Sequence, residues 1–353
     1  MRGYETRAMV TRMQLTHQDA FAVLCVQAAD EGRGPVLFGD SIERVRDVVG
    51  PFLVGDLFPE IYFEFPLAGD PFLDVTVLLG SLAPGTRIDS PLAEGTGAVL
   101  DFYSRAREQD DGIAFGFELD CGKDAVPAAA LHFQPRNNKG LVVPFCASVG
   151  EPERADLYLA QDDRMPEGWD LSFFGLFRGR PGFPLRVCGY FDEQERLNCA
   201  TDPARIERAF AQAGFAACAP EMCAQVAQAL SLAPQSADFQ FDVFPDGSLG
   251  DSFAVDLSFD RMPSDEIRES FAHGAGAMLV AQLKEWGIAD SRVDLVPDMA
   301  FTRALLMEHD DGTTRGYAFV LAPGWLKVRW RNGVLQPAKM YLRAHAGFIK
   351  DDE

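Results

Sequence analysis

The stretch EIYFEFPLAGDPFLDVTVLL, residues Glu60–Leu79, contains two runs of aromatic and β-branched residues on either side of a Gly-Asp-Pro turn. A short turn between two such runs is typical of an antiparallel hairpin. Because successive side chains of a strand point to opposite faces, Tyr62, Glu64, Asp74 and Thr76 share one mixed face. The opposite face of the hairpin is apolar.

The same order of elements, a strand pair and then a helix, recurs about five times without a sequence repeat of fixed period. Further strands are predicted at Ile113–Asp120, Ala129–Gln134, Asp170–Phe177, Pro184–Phe191, Asp238–Phe244, Phe253–Phe259, Gly316–Leu321, Trp325–Arg331 and Pro337–Arg343. Helices are predicted at Thr16–Ala29, Ile42–Val49, Ser90–Arg107, Pro152–Gln161, Pro203–Phe215, Pro220–Leu232 and Ser264–Trp286.

A helix after each hairpin could cover its apolar face, and the mixed faces would then point toward one another. About ten antiparallel strands closed in this way leave a lumen wide enough for a ligand. The sequence therefore predicts an α+β fold, a closed antiparallel β-barrel surrounded by helices. Residues 1–50 are expected to form a helical segment packed on a single barrel domain at 51–353. An open antiparallel sheet with helices on one side is the alternative.

Composition narrows the class of partner and the compartment. The formal net charge is −21, from 32 basic and 53 acidic residues, which argues against binding to nucleic acid or to an anionic membrane. The seven cysteines include no CxxC pair, the five histidines show no zinc-site spacing, and no apolar run approaches the length of a membrane span. No secretion signal is visible. We expect a cytoplasmic protein with reduced thiols.

The mixed faces carry groups that suit an anionic ligand beside an aromatic one. Basic and phenolic side chains on a few strands suit a phosphate or diphosphate, because they neutralise its charge and donate hydrogen bonds. These candidates are Arg186, Tyr190, Lys327, Arg329, Lys339 and Tyr341. Glu64 and Asp74 could act as a general base or hold the N–H or O–H group of an acceptor. Other polar side chains expected on the same face are His132, Asp242, Asp256 and Arg343.

Residues 50–350 resemble the soluble aromatic prenyltransferases of the ABBA, or PT-barrel, type. The resemblance lies in the order of elements and in three segments: FLDVTVLL (72–79), DFQFDVFPDGSLGDSFAVDLSF (238–259), and FVLAPGWLKVRW (319–330) with AKMYL (338–342). It implies a ten-stranded barrel of repeated αββα units. It also implies transfer of a prenyl group from an isoprenyl diphosphate to an aromatic or heteroaromatic small molecule, or to a peptide side chain.

The resemblance also assigns expected roles to individual residues. Lys339 and Tyr341 are similar to a diphosphate-binding Lys-x-Tyr pattern, and Arg186-x-Cys188-x-Tyr190 is similar to an Arg-x-Lys-x-Tyr strand with Cys188 replacing the lysine. Ala130 and His132 stand where a basic residue is common. Asp74 matches a metal-binding aspartate of some members, so Mg²⁺ could bind there, although no cofactor is obligatory.

Two other functions and one purely structural interpretation are also compatible with the sequence. The missing cations on the second and fourth strand pairs favour a non-catalytic barrel that binds a small molecule or peptide. A cysteine-dependent hydrolase would need a reactive thiol at Cys188. Lys339, Tyr341 and Arg343 could also form the solvated face of an edge strand.

Overall fold

The computed structural model describes residues 16–29, 33–55, 57–122, 129–136, 138–215, 218–260, 262–308 and 314–348. The strands are β1 (Glu60–Pro66), β2 (Asp74–Leu79), β3 (Ala114–Leu119), β4 (Ala130–Gln134), β5 (Trp169–Leu176), β6 (Leu185–Phe191), β7 (Ala237–Val243), β8 (Leu249–Ser258), β9 (Phe301–Glu308), β10 (Thr314–Arg331), β11 (Val334–Leu335) and β12 (Lys339–Phe348).

The helices are α1 (His17–Ala28), α2 (Arg33–Phe38), α3 (Ser41–Val49), α4 (Gly97–Gln109), α5 (Val142–Ser148), α6 (Glu153–Asp162), α7 (Glu193–Thr201), α8 (Pro203–Ala213), α9 (Pro220–Ser231), α10 (Ser264–His273) and α11 (Ala275–Glu285). Short 3-10 turns lie at Gly50–Phe52, Pro91–Ala93, Lys139–Leu141 and Ser291–Met299.

Ten strands form a closed barrel in the order β10, β12, β1, β2, β3, β4, β5, β6, β7 and β8. All neighbours are antiparallel. The pairing of β8 with β10, from Ser258 opposite Trp325 to Ser252 opposite Arg331, closes the ring. The predicted closed barrel is confirmed, and the open sheet is excluded.

Helices cover the apolar outer face of the barrel through aromatic contacts. Phe21 of α1 stacks on Phe63 of β1, with ring centroids 5.9 Å apart. Phe145 of α5 stacks on Phe133 of β4 at 4.2 Å and also contacts Phe174 of β5. Since this face is buried against helices, the alternate side chains of every strand point into the barrel.

The N-terminal helices pack on the barrel as expected, with α2 placing Phe38 against Phe65 of β1 at 5.2 Å. Residues 1–15 lie outside the described part of the chain. The division into a segment at 1–50 and a domain at 51–353 stays a prediction.

Glycines break two of the predicted helices. The predicted helix Ser264–Trp286 is two helices, because Gly274 adopts an extended conformation between α10 and α11 and a Cβ there would lie 3.0 Å from the Ser270 Cα. The predicted helix Ser90–Arg107 is interrupted at Gly95, whose φ of 77° leaves only α4 as a full helix.

Several elements differ from the prediction or were missed, and α2 and β11 are among those missed. The two strands predicted between 316 and 331 are one long strand, β10, with a bulge between Pro323 and Trp325. Helix α5, which is short and contains Pro144, and helix α7, which is largely polar, were not predicted. Strand β9, which pairs with β10 outside the ring, was also not predicted. In the described part of the chain, no helix has the length and apolar character that crossing a bilayer requires.

We expect Phe145→Ala to lower the free energy of unfolding by about 3–5 kcal/mol, because it leaves a cavity among four aromatic rings. Val143→Ala on the same helix is the control. Val143 is exposed, so its truncation should cost no more than about 0.5 kcal/mol. Urea unfolding measures both. Equal losses of stability in the two variants would show that the packing of Phe145 does not hold α5 on the barrel.

Candidate active site

The strand register brings the predicted polar side chains to the inside of the barrel. Glu64 lies opposite Asp74 on one side and Tyr341 on the other. Lys327 lies opposite both Asp256 and Lys339. The remaining predicted residues occupy the same inward-facing set of positions, namely His132, Arg186, Tyr190, Asp242, Arg329 and Arg343. The solvated edge strand is therefore excluded for Lys339 and Tyr341.

One end of the lumen holds Lys339 between two buried carboxylates. Its Nζ donates to Glu64 Oε1 at 2.6 Å and lies 3.9 Å from Asp74 Oδ2. Asp74 Oδ1 also accepts the backbone N–H of Gly122 at 3.0 Å. Lys339 thus neutralises Glu64 more directly than Asp74.

This asymmetry separates the acidities of the two carboxyls. Burial would raise the pKa of Glu64, but the charges of Lys339 and Lys327 outweigh burial and lower it to about 2. Burial raises the pKa of Asp74 to about 7, beyond what the more distant Lys339 can offset, and the Glu64 charge adds to the rise. Glu64 is therefore ionised at neutral pH, whereas Asp74 is poised to exchange a proton.

Lys327 and Tyr341 form the second cluster, beside Asp256. The Lys327 ammonium donates to the Tyr341 hydroxyl and lies 3.9 Å from Asp256 Oδ1. Gln240 Nε2 donates to Asp256 Oδ2 at 2.5 Å. Burial raises the pKa of the Tyr341 phenol well above its ordinary value, so the hydroxyl stays a hydrogen-bond donor.

Arg186 is paired with a carboxylate of the next strand. Its Nε donates to Asp242 Oδ1 at 2.9 Å, and its guanidinium lies 4.3 Å from the centre of the Phe177 ring. Arg180 stacks on the same ring at 3.9 Å. The Phe177 ring thus separates two cations and makes an apolar wall at this end of the barrel.

Arg180 is an inward-facing residue that the sequence did not predict. It donates to Glu118 Oε1 at 2.7 Å and to Asp120 Oδ1 at 3.1 Å, and Glu118 also contacts His132 Nε2 at 3.0 Å. Arg180 lies in the turn between β5 and β6, where strand alternation does not apply. The only signal was a second arginine in the turn RGRPGF.

Arg329 is the inward-facing cation that is not already engaged. In the described ranges it forms no hydrogen bond or ion pair, and burial beside Arg186 and Arg331 lowers its pKa. Tyr190 lies at the mouth of the barrel and is 43% exposed. At the same mouth Arg343 bridges Glu60 Oε2 at 2.8 Å and Asp260 Oδ1 at 2.6 Å.

The structure does not favour nucleophilic chemistry at Cys188. This thiol is 2% exposed, and burial raises its pKa well above the ordinary value, so it stays protonated. All seven cysteines are free thiols. The hydrolase alternative therefore has no support.

A metal site at Asp74 also has little support from the surrounding residues. In the part of the chain that the structure describes, no three His, Cys, Asp or Glu side chains are arranged to hold an ion. Asp74 has Lys339 nearby instead of the further oxygen ligands that Mg²⁺ prefers.

Solved structures with the same architecture come from aromatic prenyltransferases. The chain is similar to 5-dimethylallyltryptophan synthase from Streptomyces coelicolor (15% identity, 93% of this chain and 97% of that chain, TM-score 0.51). It is similar to AnaPT from Neosartorya fischeri (10%, 96% and 96%, 0.50) and to the prenyltransferase PriB (15%, 94% and 96%, 0.51). No family sequence profile and no curated protein matches the chain.

At these identities the likeness shows the fold. The chain has the PT-barrel fold of the ABBA-type aromatic prenyltransferases, and the predicted fold class is confirmed.

We expect Asp74→Asn to become stabilising relative to the natural protein as pH rises. The raised pKa of Asp74 means that its contribution to stability is full below about pH 4 and is lost as pH rises through about 7. The relative gain of the variant at about pH 8 has an upper limit of about 4 kcal/mol.

Urea unfolding at about pH 4 and about pH 8 measures this difference. Asp47→Asn, at an exposed position on α3, is the control and should show no such trend. A stability difference for Asp74→Asn that is independent of pH would mean that Asp74 is ionised throughout this range.

Proposed function

We propose that this protein transfers a prenyl group from an isoprenyl diphosphate to an aromatic acceptor bound in the barrel. The observation that carries the proposal is the placement of Arg329, Lys327 and Tyr341 on the adjoining strands β10 and β12, facing the lumen of a PT-barrel. Guanidinium, ammonium and phenol groups at close range are the partners that a diphosphate prefers.

Arg329 would be the first contact for the diphosphate because no described residue occupies it. Arg186, Lys327 and Lys339 would supply further positive charge, with Tyr341 and Tyr190 donating hydrogen bonds. As the C1–O bond of the donor breaks, its electron pair leaves with the diphosphate, and these groups stabilise the developing negative charge. The allylic cation left behind would be stabilised by an inward-facing aromatic ring such as that of Trp325.

The two carboxyls would then take separate roles at the acceptor. The ionised Glu64 would accept a hydrogen bond from an N–H or O–H of the acceptor and so increase the electron density of its ring. A ring carbon or heteroatom bonds to C1 of the prenyl group, and the proton that it loses passes to Asp74. A carboxyl with a pKa near 7 is suited to this step at neutral pH.

A non-catalytic barrel that binds a small molecule or peptide is the second candidate. It is favoured because Lys339, Arg186 and Arg343 are each already ion-paired with a carboxylate. A diphosphate would have to displace those carboxylates. Cys188, Ala130 and His132, where basic residues were expected, point in the same direction.

Thermal shift with dimethylallyl or geranyl diphosphate, with and without Mg²⁺, tests whether the protein binds the prenyl donor. A ligand at about 100 times its Kd should stabilise the protein by about 2.7 kcal/mol. Arg329→Met should weaken binding by about tenfold to one hundredfold, since it removes a charged hydrogen-bond donor. Arg208→Met, at an exposed position on α8, is the matched control and should leave binding unchanged.

Mass spectrometry of mixtures of the protein, an isoprenyl diphosphate and an aromatic acceptor tests whether the prenyl group is transferred. A product heavier by one prenyl group, lost in Arg329→Met, supports transfer. Diphosphate binding without any product favours the non-catalytic candidate. If no isoprenyl diphosphate stabilises the protein, the transfer function is contradicted.

A further inference from the structure

The lumen has more negative charge than its basic residues can neutralise. Three of those basic residues each contact two carboxylates: Lys339 contacts Glu64 and Asp74, Arg180 contacts Glu118 and Asp120, and Arg343 contacts Glu60 and Asp260. Arg186 and Lys327 each have one carboxylate, and Arg329, which has none, is the proposed first contact of the diphosphate. An isoprenyl diphosphate adds further negative charge. Because buried net charge is costly, the loaded barrel needs a cation from another source.

The Asp238 side chain has no basic partner among the described residues. It lies on β7 at an inward-facing position, partly buried, opposite Tyr190 on one side and Asp256 on the other. In the described part of the chain it forms no hydrogen bond and no ion pair. Burial and the charges of Asp256 and Asp260 raise its pKa to about 7, as expected for a carboxylate without a counter-charge.

Asp256 gives an independent sign of an unfilled site at the same place. It is only 9% exposed, yet its Oδ1 atom is buried without a hydrogen bond. Lys327 Nζ is 3.9 Å from this oxygen and donates instead to the Tyr341 hydroxyl. Buried carboxylate oxygens are rarely left unsatisfied, so Asp256 Oδ1 lacks a donor that a ligand could supply.

The position suits the charged end of an aromatic ligand. Exposed Tyr190 beside Asp238 places the pair near the mouth of the barrel, where a ligand can enter. Trp325 on the neighbouring β10 lies opposite Ser258, two residues from Asp256, and its ring packs on Tyr62 at 4.8 Å. An aromatic surface thus lies beside Asp238, which has no basic partner among the described residues, and beside the unsatisfied Oδ1 atom of Asp256.

An organic cation fits this pair better than a metal ion. The described residues contain no group of three side chains that could hold a metal ion, and the unsatisfied Asp256 Oδ1 lacks a hydrogen-bond donor, which an ammonium group supplies. A protonated amine needs only two or three hydrogen-bond acceptors, which Asp238 and Asp256 Oδ1 supply.

We propose that Asp238 and Asp256 bind a protonated amine carried by the aromatic acceptor. This inference rests on the proposed function and names the class of acceptor: an aromatic molecule with a cationic side chain. The ammonium group neutralises the excess negative charge of the lumen and orients the ring toward Glu64. A neutral aromatic compound of the same size binds more weakly because it lacks this ion pair, and an anionic one binds more weakly still because the same charges repel it.

Calorimetric binding of three phenols tests the charge preference without any prenyl donor. Tyramine is the cationic probe, 4-propylphenol its neutral analogue of equal length, and 4-hydroxyphenylacetate the anionic probe. We expect tyramine to bind about tenfold or more tightly than 4-propylphenol, and the anion to bind most weakly. Asp238→Asn should remove the advantage of tyramine, whereas Glu207→Gln, on the outer helix α8, should preserve it.

A second measurement uses the protein without ligand. If the Asp238 carboxylate has no counter-charge in the ligand-free protein, Asp238→Asn removes its repulsion from Asp256. The midpoint temperature of thermal unfolding at about pH 8 then rises. A lower midpoint would show that Asp238 has a structural role, and the proposal would be wrong. Binding that is independent of ligand charge, or no binding by any of the three phenols, would also overturn it.

The outcomes separate this inference from the proposed function. Tyramine binding that depends on Asp238, without a prenylated product, contradicts only prenyl transfer. Prenylation that prefers neutral acceptors contradicts only the cation site.

Discussion

Closure of the barrel between β8 and β10 is the contact on which the other features depend. Seven residue pairs, from Ser258 opposite Trp325 to Ser252 opposite Arg331, fix the register of the ring. Because side chains alternate with a period of two, a slip of one residue would turn Lys327 and Arg329 against the apolar helices and bring Val328 and Trp330 inside. The fully buried Trp330, bonded through its indole N–H to Gln225 of α9, opposes such a slip.

The interior that this register creates is polar, and most of its basic side chains are paired with carboxylates of neighbouring strands or turns. Ion pairs between neighbouring strands, such as Arg186 with Asp242, hold charged groups away from water at little net gain in stability. Loss of one partner would leave the other buried and unpaired, which is far more costly. The network therefore constrains substitutions inside the barrel more by the cost of breaking a pair than by the strength of each pair.

Local signals in the sequence predict the hairpins, whereas pairing between distant strands determines which face of each hairpin points into the barrel. Aromatic and β-branched runs around Gly-Pro turns located the strands within a few residues. Alternation gave the two faces of the strand with Lys339 and Tyr341 but not which face met the helices, and that required the contacts of Phe21 and Phe145. Arg180 was not predicted to face the lumen because side chains in a turn do not alternate between two faces. The break at Gly274 was not predicted because many helices tolerate a single glycine.

The pairing of β1 with β12 has a consequence for how the chain reaches its native state. Lys339 and Glu64 are in contact although 275 residues separate them in the chain. The hydrogen-bonding edge of β1 therefore stays open during synthesis until the last strand emerges from the ribosome. Glu60 and Glu64 place two negative charges on this open edge. Their repulsion would disfavour pairing of β1 with the same strand of another nascent chain. The carboxylate proposed here to assist the acceptor would thus also protect the unfinished barrel from association with its neighbours.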